Sequence, residues 1–331
     1  MARSRDERMW LAQPRCPTIY SEGIAYVGDI EREDEADLLC LSADLFMQRM
    51  TTSWIPQKPI LLKELFKDSG LYTLTCVLRC LRRRPMEGKV DVQVRSGRVS
   101  EERTAKFVEQ LDGKGGASGL NAINIRPLFY GEVSRFVHHG RFQLLQDLAE
   151  GTLLGGKVGK SLSADVVETE LEFSDDTGKV KTRNVTSHAC DIWSSIKFAL
   201  LSQEGAYSGP HIATPGGTYV RCFFGVKLWF FHNECDMNKD DWDGLQASGY
   251  RWQPNDKAHF AVLEEDDVLL MPPGIRMVHA VSTLESAYCE GGMFWDDQNI
   301  IQSLDALYWN CRHHVFSKLI NPAQRPMNPV H

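Results

Sequence analysis

The chain lacks the features that mark several protein classes. No stretch approaches the roughly 18 consecutive apolar residues that a membrane-spanning helix needs, so no membrane partner is predicted. Residues 1–8 are mostly charged and no apolar segment follows them, which argues against a secretory signal peptide. Basic residues are not in excess, with 37 Lys and Arg against 44 Asp and Glu. This balance argues against a protein whose main partner is nucleic acid.

Paired cysteines are also missing. The nine cysteines are an odd number and contain no CxxC pair, which argues against a disulfide framework or a zinc ribbon. Reduced thiols are typical of the cytoplasm or nucleus, and we expect the protein in one of these compartments.

What is present is an ordinary globular composition, 43% hydrophobic and 24% charged, with enough apolar material for one large core or two modest ones. Helical spacing of apolar residues appears at 33–50, 132–148 and 300–319. We therefore expect an α+β protein. Its predicted parts are a mixed α/β N-terminal region (1–120), a β-rich core (121–298) and a C-terminal helical segment (299–331).

The β-rich part begins near Asp191, where short β-type runs alternate with turn residues, as in a sandwich or barrel. We expect a hairpin connection at Gly225 between two of these runs. An acidic turn, Glu264–Asp267, is predicted to separate two others. The predicted strands are 218–224, 226–231, 260–263, 268–271, 279–282 and 293–295.

Two histidines and a lysine in this part are candidates for a binding site. His211 and His279 fall in separate strand patterns, and inward side chains of facing strands lie close enough to share one metal ion. Taken alone, a histidine in a β protein is more often a hydrogen-bonded structural group than a metal ligand. Lys227 alone could be a lysine on an edge strand, where such residues prevent aggregation. These residues alone leave a structural role and a binding site both open.

The segment from Trp193 to Trp295 resembles a JmjC domain, particularly of the fungal type. The motifs that carry the resemblance follow the family's order and spacing, except that two more residues than usual separate Gly274 from His279 and that Met293 stands where the family often has His. They are Phe198–Gly205, Pro210–His211, Gly225–Trp229, Asp267–Gly274, His279–Val281 and Gly291–Phe294, with 58–63 similar to the family's entry strand.

The resemblance implies a double-stranded β-helix, or jelly roll, as the core. It implies that His211 and His279 bind Fe(II), that Lys227 pairs with the distal carboxylate of 2-oxoglutarate, and that Ser208 supports this contact. Imidazole suits ferrous iron and a buried lysine suits a carboxylate, so the chemistry agrees.

One ligand of the family's metal site is missing, because Ala213 stands where the family has Asp or Glu. Three interpretations remain open. In the first, the vacant position accepts chloride, as in iron halogenases with His-x-Ala or His-x-Gly, and the enzyme halogenates a C–H bond by radical chemistry. In the second, the enzyme is a hydroxylase or demethylase, and water or a carboxylate from elsewhere completes its metal site. The candidate carboxylates are Glu204, Asp296 and Asp297. In the third, the domain binds without catalysis, since fold does not guarantee function.

The substrate class stays open between a small molecule and a protein. Aromatic residues suited to line a pocket are Tyr207, Tyr219, Trp229, Phe231 and Trp295. No basic tract or reader module is visible, which favours a small metabolite or a non-histone protein over a histone.

Overall fold

The structure is a computed structural model that describes residues 19–21, 36–63, 72–83, 89–94, 99–111, 119–125, 127–129, 135–148, 167–174, 180–187, 196–212, 216–253 and 258–313. It has a mixed α/β fold dominated by one large, mostly antiparallel sheet with few helices. In the described part, no helix is both long and apolar enough to cross a membrane.

The strands are β1 (Ile19–Ser21), β2 (Leu38–Ser42), β3 (Ile60–Lys63), β4 (Lys89–Gln93), β5 (Val99–Arg103), β6 (Asn121–Ile125), β7 (Val167–Ser174), β8 (Val180–Ser187), β9 (Phe198–Ser202), β10 (Tyr207–Ile212), β11 (Gly217–His232), β12 (His259–Leu263), β13 (Asp267–Met271) and β14 (Val278–Phe294). The helices are α1 (Ala43–Met50), α2 (Leu74–Arg83), α3 (Thr104–Glu109), α4 (Lys239–Ser248) and α5 (Ile300–His313).

Twelve strands form the large sheet, in the order β1-β2-β3-β13-β11-β14-β9-β6-β4-β5. Two further strands branch from this path, β10 from β14 and β12 from β11. Strands β1, β2 and β3 are parallel, and the other pairs are antiparallel. Strands β7 and β8 form a separate two-stranded sheet.

Strand β11 is the centre of the sheet and corrects one prediction. The two runs on either side of Gly225 are one continuous strand of 16 residues, so the predicted hairpin is wrong. Gly225 adopts a φ of 86°, and the register with β14 shifts around it. A glycine in this conformation is typical of a β-bulge, which bends a strand without reversing it. The first half of β11 then pairs with β13 and the second half with β12.

The bulge makes Gly225→Ala a sensitive test of the strand. A Cβ at Gly225 would lie 2.2 Å from the carbonyl oxygen of Ser286, a backbone atom that cannot rotate away. The left-handed backbone itself costs a non-glycine residue about 1–2 kcal/mol. We expect Gly225→Ala to lower the free energy of unfolding by about 2–4 kcal/mol, measured by urea denaturation.

Gly205→Ala is the matched control, because Gly205 has a φ of 77° and no atom lies within 4 Å of its added Cβ. It isolates the backbone cost, about 1–2 kcal/mol. Equal losses for the two variants would contradict close packing at the bulge.

The range predicted as a single helix, 33–50, contains a strand followed by a helix. Within the described part of this range, β2 precedes α1, and Ser42 caps the helix by accepting a hydrogen bond from the Leu45 amide at 3.2 Å. The leucines in β2 are buried on both faces of the sheet, with Leu38 in one apolar cluster and Leu39 in another. A run that is apolar on both faces loses its period of two, which explains why helical spacing fitted it.

Two other predicted elements change form. The helix expected over 132–148 is divided at His139, which has an extended backbone between two 3-10 turns, Arg135–His138 and Gly140–Phe142. The separate strands expected at 279–282 and 293–295 belong to the single strand β14, which ends at Phe294. The C-terminal helix is observed as α5, and the predicted residues after 313 lie outside the described part. The acidic turn is observed, with the Asp267 amide donating to the Glu264 carbonyl at 3.1 Å.

One buried cluster joins seven of these strands and contacts the candidate site through Trp229, which stacks on His279. Its members come from β2, β3, β9, β11, β12, β13 and β14, so side chains far apart in the sequence meet there. They include Leu38, Leu61, Phe198, Val220, Trp229, Phe231, Ala261, Leu269 and Val281.

Candidate functional site

The structure brings His211 and His279 side by side. They are direct cross-strand partners in β10 and β14, and their ring centroids lie 4.1 Å apart. The register shift between Ser208 and His211 is a local irregularity of β10 next to the site. His279 is buried, with 4% of its surface exposed, and His211 is half-buried.

Both imidazoles are oriented by the backbone. His211 Nδ1 lies 2.8 Å from the Gly209 carbonyl oxygen, and His279 Nδ1 lies 3.5 Å from that of Met277. A carbonyl oxygen only accepts hydrogen bonds, so Nδ1 carries the proton and Nε2 keeps its lone pair. This arrangement is typical of histidines that bind a metal through Nε2.

Two aromatic residues surround the pair. Trp229 stacks on His279, with centroids 5.4 Å apart and 25° between the planes. The ring of Tyr250, which follows α4, lies 6.2 Å from that of His211. Burial raises the pKa of Tyr250, so its hydroxyl is protonated at neutral pH. Gly209 allows this approach, because a Cβ there would lie 2.4 Å from the Tyr250 carbonyl oxygen.

Lys227 lies inside the sheet rather than at an exposed edge. Only 2% of its surface is exposed, and its Nζ donates a hydrogen bond to Ser202 Oγ at 2.6 Å. Burial lowers the pKa of Lys227, and the neighbouring thiols of Cys289 and Cys222 act in the opposite direction. A bound carboxylate would stabilise the charged ammonium that burial disfavours.

Ser208 belongs to a chain of buried polar groups that begins at Lys227. Ser202 Oγ donates to Asn121 Oδ1 at 2.6 Å, and Asn121 Nδ2 donates to Ser208 Oγ at 2.9 Å. Ser208 Oγ in turn donates to Gln93 Oε1 at 2.9 Å. Five strands therefore meet at one polar patch in an apolar interior.

The lysine and the histidine pair lie along the same two strands. Phe231 is the register partner of His279, and Lys227 is the register partner of Thr283. The offset of four residues corresponds to about 13 Å between backbone positions. Register partners share a face of the sheet, so Lys227 and His279 lie on the same side of these two strands.

Sequence reasoning missed Gln93, Asn121 and Ser202. Each has a weak signal, since Ser202 is the polar residue in the apolar run of β9 and Gln93 lies on the polar side of an alternating strand. Gln93 is nevertheless fully buried, because β6 and the site cover it. Among the expected pocket aromatics, Trp229 and Phe231 join the cluster at the site, whereas Tyr219 and Trp295 pack in other clusters.

The missing third ligand cannot be located directly, because Ala213 lies outside the described residues. Of the three substitute carboxylates, Glu204 and Asp297 are exposed. Asp296 is 1% exposed and forms an ion pair with Arg141, at 2.5 Å from Nε and 2.6 Å from the second guanidinium nitrogen. Across the described ranges, no group of three or more His, Cys, Asp or Glu residues is placed to hold a metal ion.

No protein-family model matches the chain. The chain is 30% identical over 320 residues to KK-1 biosynthesis cluster protein D of Curvularia clavata. The alignment covers 92% of this chain and 29% of the relative, so the chain spans less than a third of that protein's length.

Proposed function

We propose that the described core is a JmjC-like jelly roll and that the protein is an Fe(II)- and 2-oxoglutarate-dependent oxidative enzyme. The observation that carries the proposal is the pair His211 and His279, held side by side by cross-strand pairing and with Nδ1 turned to the backbone, on the same two strands as the buried Lys227. The two long antiparallel strands β11 and β14, flanked by β9, β10, β12 and β13, support the jelly-roll core.

His211 and His279 would hold Fe(II) through Nε2. The Lys227 ammonium would bind the distal carboxylate of 2-oxoglutarate, and Ser208 and Ser202 lie in the hydrogen-bond chain around it. Bound iron with this cosubstrate and dioxygen supplies the oxidising power to break a substrate C–H bond. The surrounding apolar cluster excludes water, which strengthens the charge pairing at Lys227.

Ala213 favours a halide beside the iron, and hence radical halogenation of the C–H bond. A methyl side chain leaves the carboxylate position open. The surroundings of Asp296, Glu204 and Asp297 favour this over a substitute protein carboxylate, since Arg141 engages the first and the other two are exposed. A hydroxylase with water in that position is the second candidate, and Tyr250 beside His211 favours it as a hydrogen-bond donor to such a water.

The substrate is proposed to be a small molecule. The relative from Curvularia clavata is named as a biosynthesis cluster protein, which fits an enzyme of small-molecule assembly. The alignment covers 29% of that longer protein, and the proposal concerns only the part that is similar to this chain.

The test is an anaerobic titration with Fe(II) and 2-oxoglutarate, with and without chloride, followed by the visible charge-transfer band of the complex. We expect a band whose apparent affinity increases with chloride, because a ligand that binds the same state adds its binding free energy. Lys227→Met removes a charge-assisted contact and should weaken 2-oxoglutarate about 10–100-fold. Absence of any band in the wild type would contradict the proposal.

Ala213→Asp separates the two candidate reactions. A carboxylate in that position should abolish the dependence on chloride and any halogenation, while iron binding strengthens. A band that ignores chloride in both proteins would favour the hydroxylase. Lys106→Met, an exposed lysine on α3, is the control for charge removal and should leave the titration unchanged.

A further inference from the structure

Trp229 lies between the two ends of the candidate site. Side chains alternate along β11, so Lys227, Trp229 and Phe231 share one face of the strand. Val226, Leu228 and Phe230 point to the other face, where they form a separate apolar cluster with β12. A molecule that reaches from the Lys227 ammonium to the histidines therefore passes the indole of Trp229.

The indole ring is fixed. Trp229 is 4% exposed, packs in the interior cluster and stacks on His279. The stacked, parallel geometry holds the His279 ring against an aromatic face. Phenylalanine would give the same apolar packing and a similar stack, so packing alone does not require a tryptophan at this position.

The indole nitrogen is what packing leaves unexplained. Trp229 Nε1 is buried and has no hydrogen-bond partner among the described residues. A buried N–H that finds no acceptor loses its hydration without compensation, and buried tryptophans usually find a partner. Lys227 lies two residues before Trp229 on the same face of β11 and is 2% exposed, so its ammonium attracts an anion into this part of the interior.

We propose that the Trp229 indole N–H is a binding group that donates a hydrogen bond to a carboxylate oxygen of the anionic ligand in this interior. The ligand class is a short linear dicarboxylate, with one carboxylate at Lys227. The inference rests on the proposed function and adds a specificity residue to it. An anionic acceptor suits the lone donor, because hydrogen bonds to charged groups are the stronger ones.

Trp229→Phe tests the donor, since it removes the N–H and keeps an aromatic ring against His279. The probe is 2-oxoglutarate, titrated by calorimetry into protein loaded with Mn(II), which is redox-silent in this experiment. We expect about tenfold weaker binding of 2-oxoglutarate, the loss of one charge-assisted hydrogen bond. The urea midpoint of the ligand-free protein should change little, because the variant also removes an uncompensated buried donor.

Trp54→Phe is the matched control, a tryptophan packed on Phe46 in a different cluster, and it should leave the affinity unchanged. Equal affinities of wild type and Trp229→Phe would overturn the inference and leave the proposed function standing. A wild type that binds no 2-oxoglutarate would overturn both. A loss in Trp229→Phe that appears only in the presence of chloride would also overturn it, because the acceptor would be the halide.

A measurement on the wild type covers the case in which the variant does not fold. The protein has eight tryptophans, whose indole N–H signals are resolved by nitrogen-15 NMR. In the Zn(II)-loaded protein, one indole proton should move downfield when 2-oxoglutarate is added, as expected for a new hydrogen bond to a carboxylate. Binding of 2-oxoglutarate without a downfield shift of any indole proton would contradict the inference.

Discussion

Replacing His279 with glutamine is expected to weaken Fe(II) binding at least about 100-fold, because loss of a group that merely orients a metal ligand already costs about 10–100-fold. Glutamine approximates the size of the imidazole, so the buried position stays filled. His211→Gln should have the same effect, since the two rings lie 4.1 Å apart and would share one ion. The measurement is competition against a chromophoric chelator under anaerobic conditions, with Co(II) absorption as a second report on the ligand number.

His138→Gln is the control for this experiment. His138 is exposed at the end of a 3-10 turn and is not one of the two proposed ligands, so its loss should not change metal affinity. Similar affinities for His279→Gln and His138→Gln would show that the histidine pair is a structural contact. Circular dichroism of each variant separates a lost ligand from a lost fold.

Arg141→Met is expected to lower the free energy of unfolding by about 3–5 kcal/mol, the cost of leaving one charge of a buried pair uncompensated. Arg141 is 4% exposed, and two of its nitrogens contact the Asp296 carboxylate. The pair joins the 3-10 turn at Gly140–Phe142 to the 3-10 turn at Asp297–Asn299, which follows β14 and which Asp296 caps. Urea denaturation measures the loss.

Adding Asp296→Asn to Arg141→Met removes the orphaned charge and should recover part of the stability. The asparagine oxygen can still cap Gln298, whose amide now donates to Asp296 at 3.1 Å. Lys106→Met is the exposed comparison, because its ion pair with Glu102 is on the surface and should contribute less than about 1 kcal/mol. If Arg141→Met costs no more than Lys106→Met, the buried pair does not stabilise the fold.

The motifs that resemble a known family were sufficient to predict the histidine pair, whereas local strand patterns were not. His211 and His279 lie in strands that pair with each other, as their joint place among those motifs implied. The burial of Lys227 beside the site also agrees with the prediction. The role of these residues in binding iron or 2-oxoglutarate stays a prediction.

The polar chain around Lys227 was not predictable in the same way. Asn121 and Ser208 are 87 residues apart, and Gln93 and Ser208 are 115 apart. Such contacts depend on which strands become neighbours in the sheet, and local residue patterns do not show that strand order. The prediction at Gly225 was wrong for a different reason, since a glycine between two β runs fits a turn and a bulge equally well.

The continuity of β11 and β14 has a consequence for how the site is lost. The two strands are paired from Gly217 with Phe294 to His232 with Val278, so Lys227 and His279 belong to one ladder. Separating the histidine from the lysine requires breaking the central pair of the sheet, which is part of global unfolding rather than a local opening. A destabilised variant therefore contains fewer competent molecules, and each molecule that stays folded keeps the affinity of the wild type.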